Sequence, residues 1–517
     1  MLKGESPRNR CRLRWGVGGL LVLLLMACGR PQLPEHYTQG NVLPHIYPDY
    51  AGVTIPVNIA PLCFELLNDA DAAVTRFSVG GQELLCEGLK VRPDQDAWRS
   101  LLSGTSDLSG GAAPGSERTI GVEVFAQKDG QWMRYQPFSI CVSPDSIDPW
   151  LSFRYISPSY VSYEELTINQ RCLENFDERV IASNMLCSTE SGGQCVNCHS
   201  FQQYSPRRMQ LHARHTHGGT VIAYDGELQR VDIVSPQPVR SQSVKSQSPA
   251  VYPAWHPTEK LIAYSCNSTL QSFHTVDIDK IEVYDAQSSL ILYDVDSHVA
   301  TTIEDLPDEL ATFPAWAPDG QALYYCSARF AYEADSIDLE ELTLRAEELK
   351  YNIFRRPFDP QTRTFGEREL VFSADSLGQS ATLPRLSPDG RWLLFTMGRY
   401  GTFHIWHRDA DLWLLDLASG EARPFDEVNS PNSESYHSWS SNGRWVVFSS
   451  RRHDGVFTRP FFAHVGADGR ATKPFELPCQ DPDRHLQLLK SYNVPELMTG
   501  PVSLTPQQIA ALLKEGK

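Results

Sequence analysis

Phe313-Pro314-Ala315-Trp316-Ala317-Pro318-Asp319-Gly320, followed by the apolar run Ala322-Leu323-Tyr324-Tyr325-Cys326, is the stretch on which the fold of this chain turns. The same unit returns as Tyr252-Pro253-Ala254-Trp255-His256-Pro257, as Leu383-Pro384-Arg385-Leu386-Ser387-Pro388-Asp389-Gly390 and as Tyr436-His437-Ser438-Trp439-Ser440-Ser441-Asn442-Gly443. Each copy precedes another apolar run: Leu261 to Ser265, Trp392 to Thr396 and Trp445 to Ser449. Asp-Gly or Asn-Gly between two such runs predicts a tight hairpin whose central residues take positive φ. The aromatic residue before the turn is expected to pack an inner strand against the adjacent sheet.

Further strands follow each unit, such as Ser289 to Val295 and Asp411 to Leu417, so the unit has four strands and recurs every 53 to 70 residues. One such sheet cannot bury both faces alone, and radial repetition into a propeller solves that problem. The unit resembles the blade of TolB-like, or PD40-type, β-propellers over roughly residues 250 to 475; the first copy departs from it at Thr258-Glu259-Lys260, which lacks the turn glycine. The fold class expected is therefore all-β, a propeller of six blades. Gly219 to Tyr224 with Leu228 to Val234 supplies a fifth blade, and residues 150 to 170 a sixth. The Glu- and Leu-rich insertion Asp335 to Lys350 predicts a surface helix. Thr505-Pro506-Gln507-Gln508 predicts the capped start of another, whose stripe Ile509, Leu512 and Leu513 docks on the protein's own body.

Outside the repeats, residues 1–28 read as a signal: Lys3, Arg8, Arg10, Arg12 and Arg14 precede an uncharged stretch from Trp15 to Ala27, too short to span a bilayer, which takes ~20 residues. Leu25-Met26-Ala27-Cys28 resembles the lipobox of bacterial lipoproteins, which implies lipidation at Cys28 and a mature chain in the cell envelope, facing the periplasm or on the outer membrane. Residues 29–55, rich in Pro, Tyr and Gly, suggest a tether. Short alternating runs over 56–155, interrupted by the Ser/Gly-rich stretch 103–116, predict a small β-sandwich with a helix at Asp96 to Leu102. Residues 156–220 show no clear period, 221–478 form the propeller, and 479–517 a helical tail. A formal charge of −17 excludes unspecific binding to nucleic acid. Of the scattered cysteines, Cys63 or Cys86 with Cys141, and Cys172 with Cys187, are candidate disulfides.

Cys195-Val196-Asn197-Cys198-His199 carries the chemistry. Two thiols three residues apart can reach the two vinyl groups on one edge of a porphyrin, and the adjacent His can ligate its iron, which is the pattern of covalent haem c attachment. Chance gives about 0.008 such matches in a chain of 517 residues with 12 Cys and 15 His. Competing readings are a thioredoxin-like pair, a zinc site completed by His212, His215 or His217, and a plain disulfide. For the second axial position Met209 comes first, His212 second and His217 third. Arg207, Arg208 and Arg214 are candidates to pair with the propionates.

The combination is similar to a family of bacterial envelope lipoproteins that join an N-terminal β-rich region, a cytochrome c-like Cys-x-x-Cys-His segment and a TolB-like propeller. Pro48 to Leu62, Cys195 to Phe201 and His217-Gly218-Gly219-Thr220 carry that likeness. It implies one covalent haem c more firmly than a reaction; the first reading is an electron carrier or redox sensor, attached to the membrane through the lipid and meeting a redox or envelope protein partner, rather than an enzyme. The alternative is a non-catalytic propeller scaffold for an envelope protein or glycan; a haem enzyme acting on peroxide is a third possibility.

Overall fold

The computed structural model describes residues 31–103, 118–158, 163–188, 194–236, 249–274, 279–333 and 337–515. The expected signal and Cys28 therefore lie outside the described residues. Among the described residues no helix is long and apolar enough to cross a membrane.

The repeat units do form strands, and the strands pair into six sheets arranged as propeller blades. Blade one takes Trp150–Ile156, Thr167–Cys172 and Glu178–Ser183, with Ser491–Met498 from the far end of the chain as its innermost strand. Blade two is Gln194–Phe201, Arg208–His215, Gly219–Tyr224 and Glu227–Val231, and blade three Ala250–Trp255, Leu261–Phe273, Ile281–Asp294 and Val299–Glu304. The inner strands of blades four, five and six are Glu309–Trp316, Ser380–Leu386 and Glu434–Trp439. Each inner strand packs on the next, and the ring closes where Gln194–Phe201 meets Ser491–Met498.

All six inner strands share one irregularity. Cys198, Tyr252, Phe313, Leu383, Tyr436 and Val494 each stand at a register shift with φ between 44° and 55°. A bulge with a non-glycine residue in the left-handed region is costly, and its repetition at one register makes it a property of the blade. Aligned on it, Cys198-His199-Ser200-Phe201 and Val494-Pro495-Glu496-Leu497 are two further copies of Tyr252-Pro253-Ala254-Trp255. The tryptophan three residues on knits the ring together: Trp316 Nε1 donates to Ala254 O at 3.0 Å and Trp439 Nε1 to Arg385 O at 3.2 Å, each reaching the preceding blade.

The hairpin turns differ from the sequence expectation. Gly320, Gly390 and Gly443 alone take positive φ, and each N–H donates to the residue three back, Ala317, Ser387 or Ser440, at 2.8 to 2.9 Å. The turn is thus of type I, with Pro or Ser then Asp or Asn at its centre and Gly at its end. In the copy without glycine, His256 Nδ1 accepts from the N–H groups of Thr258 and Glu259 instead, at 3.3 and 3.0 Å.

The N-terminal unit holds a seven-stranded sheet and a three-stranded sheet around Tyr50, Phe64, Phe77, Trp98 and Val122. Its helix, Gln95–Ser103, is capped by Asp94, whose Oδ1 accepts from Asp96 and Ala97 N–H at 3.1 and 3.0 Å. Three boundaries shift. The expected tether pairs into these sheets through Thr38–Gln39, Ile46–Tyr47 and Thr54–Pro56, because buried Tyr47 and Tyr50 anchor it. The described residues of 156–220 belong to blades one and two rather than to a separate segment. The tail 479–517 is helical only at Arg484–Gln487 and Pro506–Glu515, and between them it closes the ring. The expected insertion helix is present at Leu339–Leu344, N-capped by Asp338. The C-terminal helix carries its capping box, Gln508 N–H to Thr505 Oγ1 at 3.3 Å and Thr505 N–H to Gln508 Oε1 at 2.9 Å, and buries Ile509 and Leu513.

Candidate functional site

In an unbroken strand residues i and i+3 point to opposite faces. The bulge at Cys198 cancels that alternation, so Cys195, Asn197, Cys198 and His199 all line one cavity of about 690 Å³ at one end of the propeller channel. Such a volume lies within the ~300–1,000 Å³ of ordinary cofactor sites. The bulged residues of the other five blades complete the wall. Blade three's outsized hairpin extends it with Thr269, Gln271, Phe273 and Val283. That hairpin is held by the loop of blade five: His407 Nε2 meets Glu282 Oε2 at 2.5 Å, and Ile281 packs with Ile405 and Trp406.

His199 is 2% exposed, and neither of its ring nitrogens makes a hydrogen bond of ordinary geometry. Burial first, and the Arg154 guanidinium second, push its pKa down to about 3 against a smaller contrary pull from the Val494 backbone. The imidazole is therefore neutral, with a lone pair to give. Its counterpart His437, at the same register in blade six, is also buried but spends Nε2 on Leu394 O at 3.0 Å. Burial raises the Cys195 thiol. The cavity is cationic within an anionic chain: Arg154, Arg214 and Arg385 line it, Arg154 donates to Asn197 Oδ1, and the one acidic lining residue is Glu496. Glu496 stands 3.9 Å from Arg385, and burial outweighs that cation to lift its pKa to about 7. The pair also borders a second chamber of about 250 Å³ toward the other end, walled by Phe201, Trp255, Trp316 and Trp439.

The sequence candidates divide. Cys195, Cys198, His199, Arg214 and His215 line the cavity. Met209 does not: it is buried among Val196, Leu211 and Val221, on the opposite face of its strand from Gln210 and His212. His212 lies one strand out from the channel, with Nδ1 3.2 Å from Thr220 Oγ1 and its pKa pushed down by burial to about 3. His217 is buried beyond the end of that strand and is not part of the cavity wall. Arg207 and Arg208 face outward and pair with Asp225 at 3.3 and 2.8 Å. Chain reach allowed all of these; a core face for Met209, a place one strand out for His212 and outer-surface ion pairs for Arg207 and Arg208 keep them off the cavity wall. Among the described residues no three His, Cys, Asp or Glu side chains are grouped as a metal ion would need. The ten described cysteines are all free thiols, so the expected disulfides are absent among them. Arg154, Arg385 and Glu496 were missed. The legible signal was departure from the repeat, because Arg385 and Glu496 stand where other copies carry Ala or Ser.

No protein-family model and no curated protein matches the sequence. Among solved structures, an oligogalacturonate lyase in complex with manganese is 12% identical, covering 68% of this chain and 87% of that one at a TM-score of 0.30. The Dos1 propeller is 11% identical, with coverages of 55% and 62% and a TM-score of 0.35. The β-propeller domain of Myceliophteria thermophila Cps50 (Swd1) is 12% identical, with coverages of 56% and 90% and a TM-score of 0.29. The all-β propeller assignment rests on the strand pairing itself.

Proposed function

We propose that the chain is an exported, lipid-anchored c-type haem protein that carries its haem in the propeller channel and serves periplasmic electron transfer or redox sensing. One observation carries the reading: both thiols of Cys195-x-x-Cys198 and the buried, neutral imidazole of His199 line a single cofactor-sized cavity. Cys195 and Cys198 would hold the haem through thioethers, and His199 would offer its imidazole to the iron. Arg154, Arg214 and Arg385 would neutralise the propionates, as bidentate guanidinium–carboxylate pairs do elsewhere. Haem supplies reversible one-electron chemistry when bound. The chain's own residues keep His199 unprotonated through burial and Arg154, and the His407–Glu282 contact ties the outsized hairpin of the cavity wall to blade five. Lipidation at Cys28 would tether the protein to the envelope membrane, where a redox or envelope protein would be its partner.

A second reading, a non-catalytic scaffold binding an envelope protein or glycan, is favoured by a different fact: Cys198-His199-Ser200-Phe201 occupies an ordinary repeat register. Production of the full chain in cells competent for haem c maturation separates the two. The expected result is a Soret band that survives acid-acetone extraction, with a mass increase of one haem that is lost in C195S/C198S. A colourless, haem-free mature protein would overturn the haem reading and leave the scaffold.

A further inference from the structure

A second reactive cluster lies away from the channel, where blade six hands the chain back to blade one. The turn after strand Phe475–Glu476 runs through Leu477 and Pro478 to Cys479, then into the short helix Arg484–Gln487. It brings three chemically distinct groups into a line. Cys479 Sγ is 3.3 Å from His485 Nε2, and His485 Nδ1 is 2.6 Å from Glu476 Oε1. Glu476 Oε2 also meets His453 Nε2 at 2.9 Å, and Tyr492 OH stands 3.1 Å from His485 Nε2. Arg171 donates to Pro478 O at 2.6 Å, and Arg459 to His485 O at 2.6 Å. Tyr47, Tyr50 and Cys63 of the N-terminal unit face the cluster from the other side.

These neighbours set the charges. Burial alone would lower the His485 imidazolium, but Cys479 and Glu476 lift it to about 9. Burial alone would raise the Cys479 thiol, but the His485 imidazolium and then Arg171 draw it below its ordinary value. Every other described thiol with a shift is raised by its burial, Cys63, Cys86 and Cys266 to about 12 and Cys187 to about 11. A thiolate–imidazolium pair oriented by a carboxylate is the arrangement that makes cysteine a nucleophile. Cys479 is 4% exposed and Pro478 before it is buried, while Gln480 immediately after it is exposed. Gln480, Asp481, Arg484 and Arg171 line a surface cleft of about 790 Å³, and Gln480 directly follows Cys479 in the chain.

We propose that Cys479 is a peroxide-reactive thiolate, activated by His485 held on Glu476 and reached from the cleft bounded by Arg171 and Arg484. The sulfur lone pair attacks one oxygen of hydrogen peroxide, and an S–O bond forms as the O–O bond breaks. The leaving hydroxide takes the Nε2 proton of His485 and departs as water. Sulfur is oxidised by two electrons to sulfenic acid, peroxide is reduced, and the imidazole is left neutral. The site is separate from the channel cavity and stands whether or not that cavity holds a haem.

The test uses the full chain. It is treated with near-stoichiometric hydrogen peroxide in the presence of dimedone and mapped by peptide mass spectrometry; a parallel series measures iodoacetamide alkylation of each cysteine from pH 5.5 to 9. Dimedone is expected on Cys479 at about tenfold or more over Cys63 and Cys86, the excess that one unit of thiol pKa confers. Alkylation of Cys479 is expected to set in at lower pH than that of Cys63 and Cys86 and to fall about tenfold in H485Q, while C479S removes only this adduct. Equal labelling of Cys479, Cys63 and Cys86 in the unmodified sequence would overturn the proposal without recourse to any variant. So would an alkylation rate at Cys479 that rises only through the ordinary thiol range near 8.5.

Discussion

Truncation after Lys490 tests the architecture at its seam. The deleted segment contains the inner strand of blade one, Ser491–Met498, which pairs with Trp150–Ile156 across the ring closure. It buries Tyr492, Leu497, Met498, Val502, Ile509 and Leu513, each 5% exposed or less. At about 1.5–3 kcal/mol for each large buried side chain, the loss is about 9–18 kcal/mol before the strand's hydrogen bonds are counted. Even discounted for a compact unfolded chain, that rivals the ~5–15 kcal/mol of a whole domain. Truncation after Ser503 instead removes only the helix with Ile509 and Leu513, a loss of about 3–6 kcal/mol by the same measure. Urea denaturation followed by tryptophan fluorescence and far-UV circular dichroism should show no cooperative transition for residues 1–490. For residues 1–503 it should show a folded protein with a lowered midpoint. A 1–490 chain that unfolds with the midpoint and slope of the full chain would refute closure of the ring by Ser491–Met498.

Three other measurements bear on separate parts of the molecule. Gly320 has φ +72°, and a Cβ there would lie 2.5 Å from the His256 ring, itself 1% exposed and packed on Trp316; G320A should lower stability by about 2–5 kcal/mol in chemical denaturation. Met209 belongs to the core between blades one and two, so M209L should cost less than about 1.5 kcal/mol and leave any haem spectrum unchanged; a shifted spectrum would return Met209 to the site. E476Q leaves His485 and His453 without their carboxylate and should cost about 3–5 kcal/mol. The same groups give a pH dependence. Burial would raise Glu476, but His485 and His453 hold it at about 2, so its contribution is complete above its ordinary 4.5 and is lost as pH falls toward 2. His485, lifted to about 9, contributes fully below 6.5 and loses that contribution as pH rises through 9. Stability measured across pH should therefore plateau between about 4.5 and 6.5 and decline on both sides, and the acid limb should flatten in E476Q.

Much of this protein is written locally. The four Pro-x-Trp-type units, their turn glycines and the alternating strands identify a propeller, since one blade's pattern already specifies a sheet that must be flanked on both faces. The Thr505–Gln508 capping box is equally local and was legible. Cys195, Cys198 and His199 stand out because their spacing alone meets a chemical requirement. Tertiary structure decided what spacing cannot express. The bulge that turns Cys195 and Cys198 toward one cavity arises from pairing between strands, and the same alternation sends Met209 into a core and His212 toward blade three. Arg154 and Arg385 reach that cavity from blades one and five because the ring is circular, so sequence distance bears no relation to spatial distance there. Cys479, His485 and Glu476 look unremarkable in the chain; burial in a shared low-dielectric pocket, away from competing water, is what makes them a charged cluster.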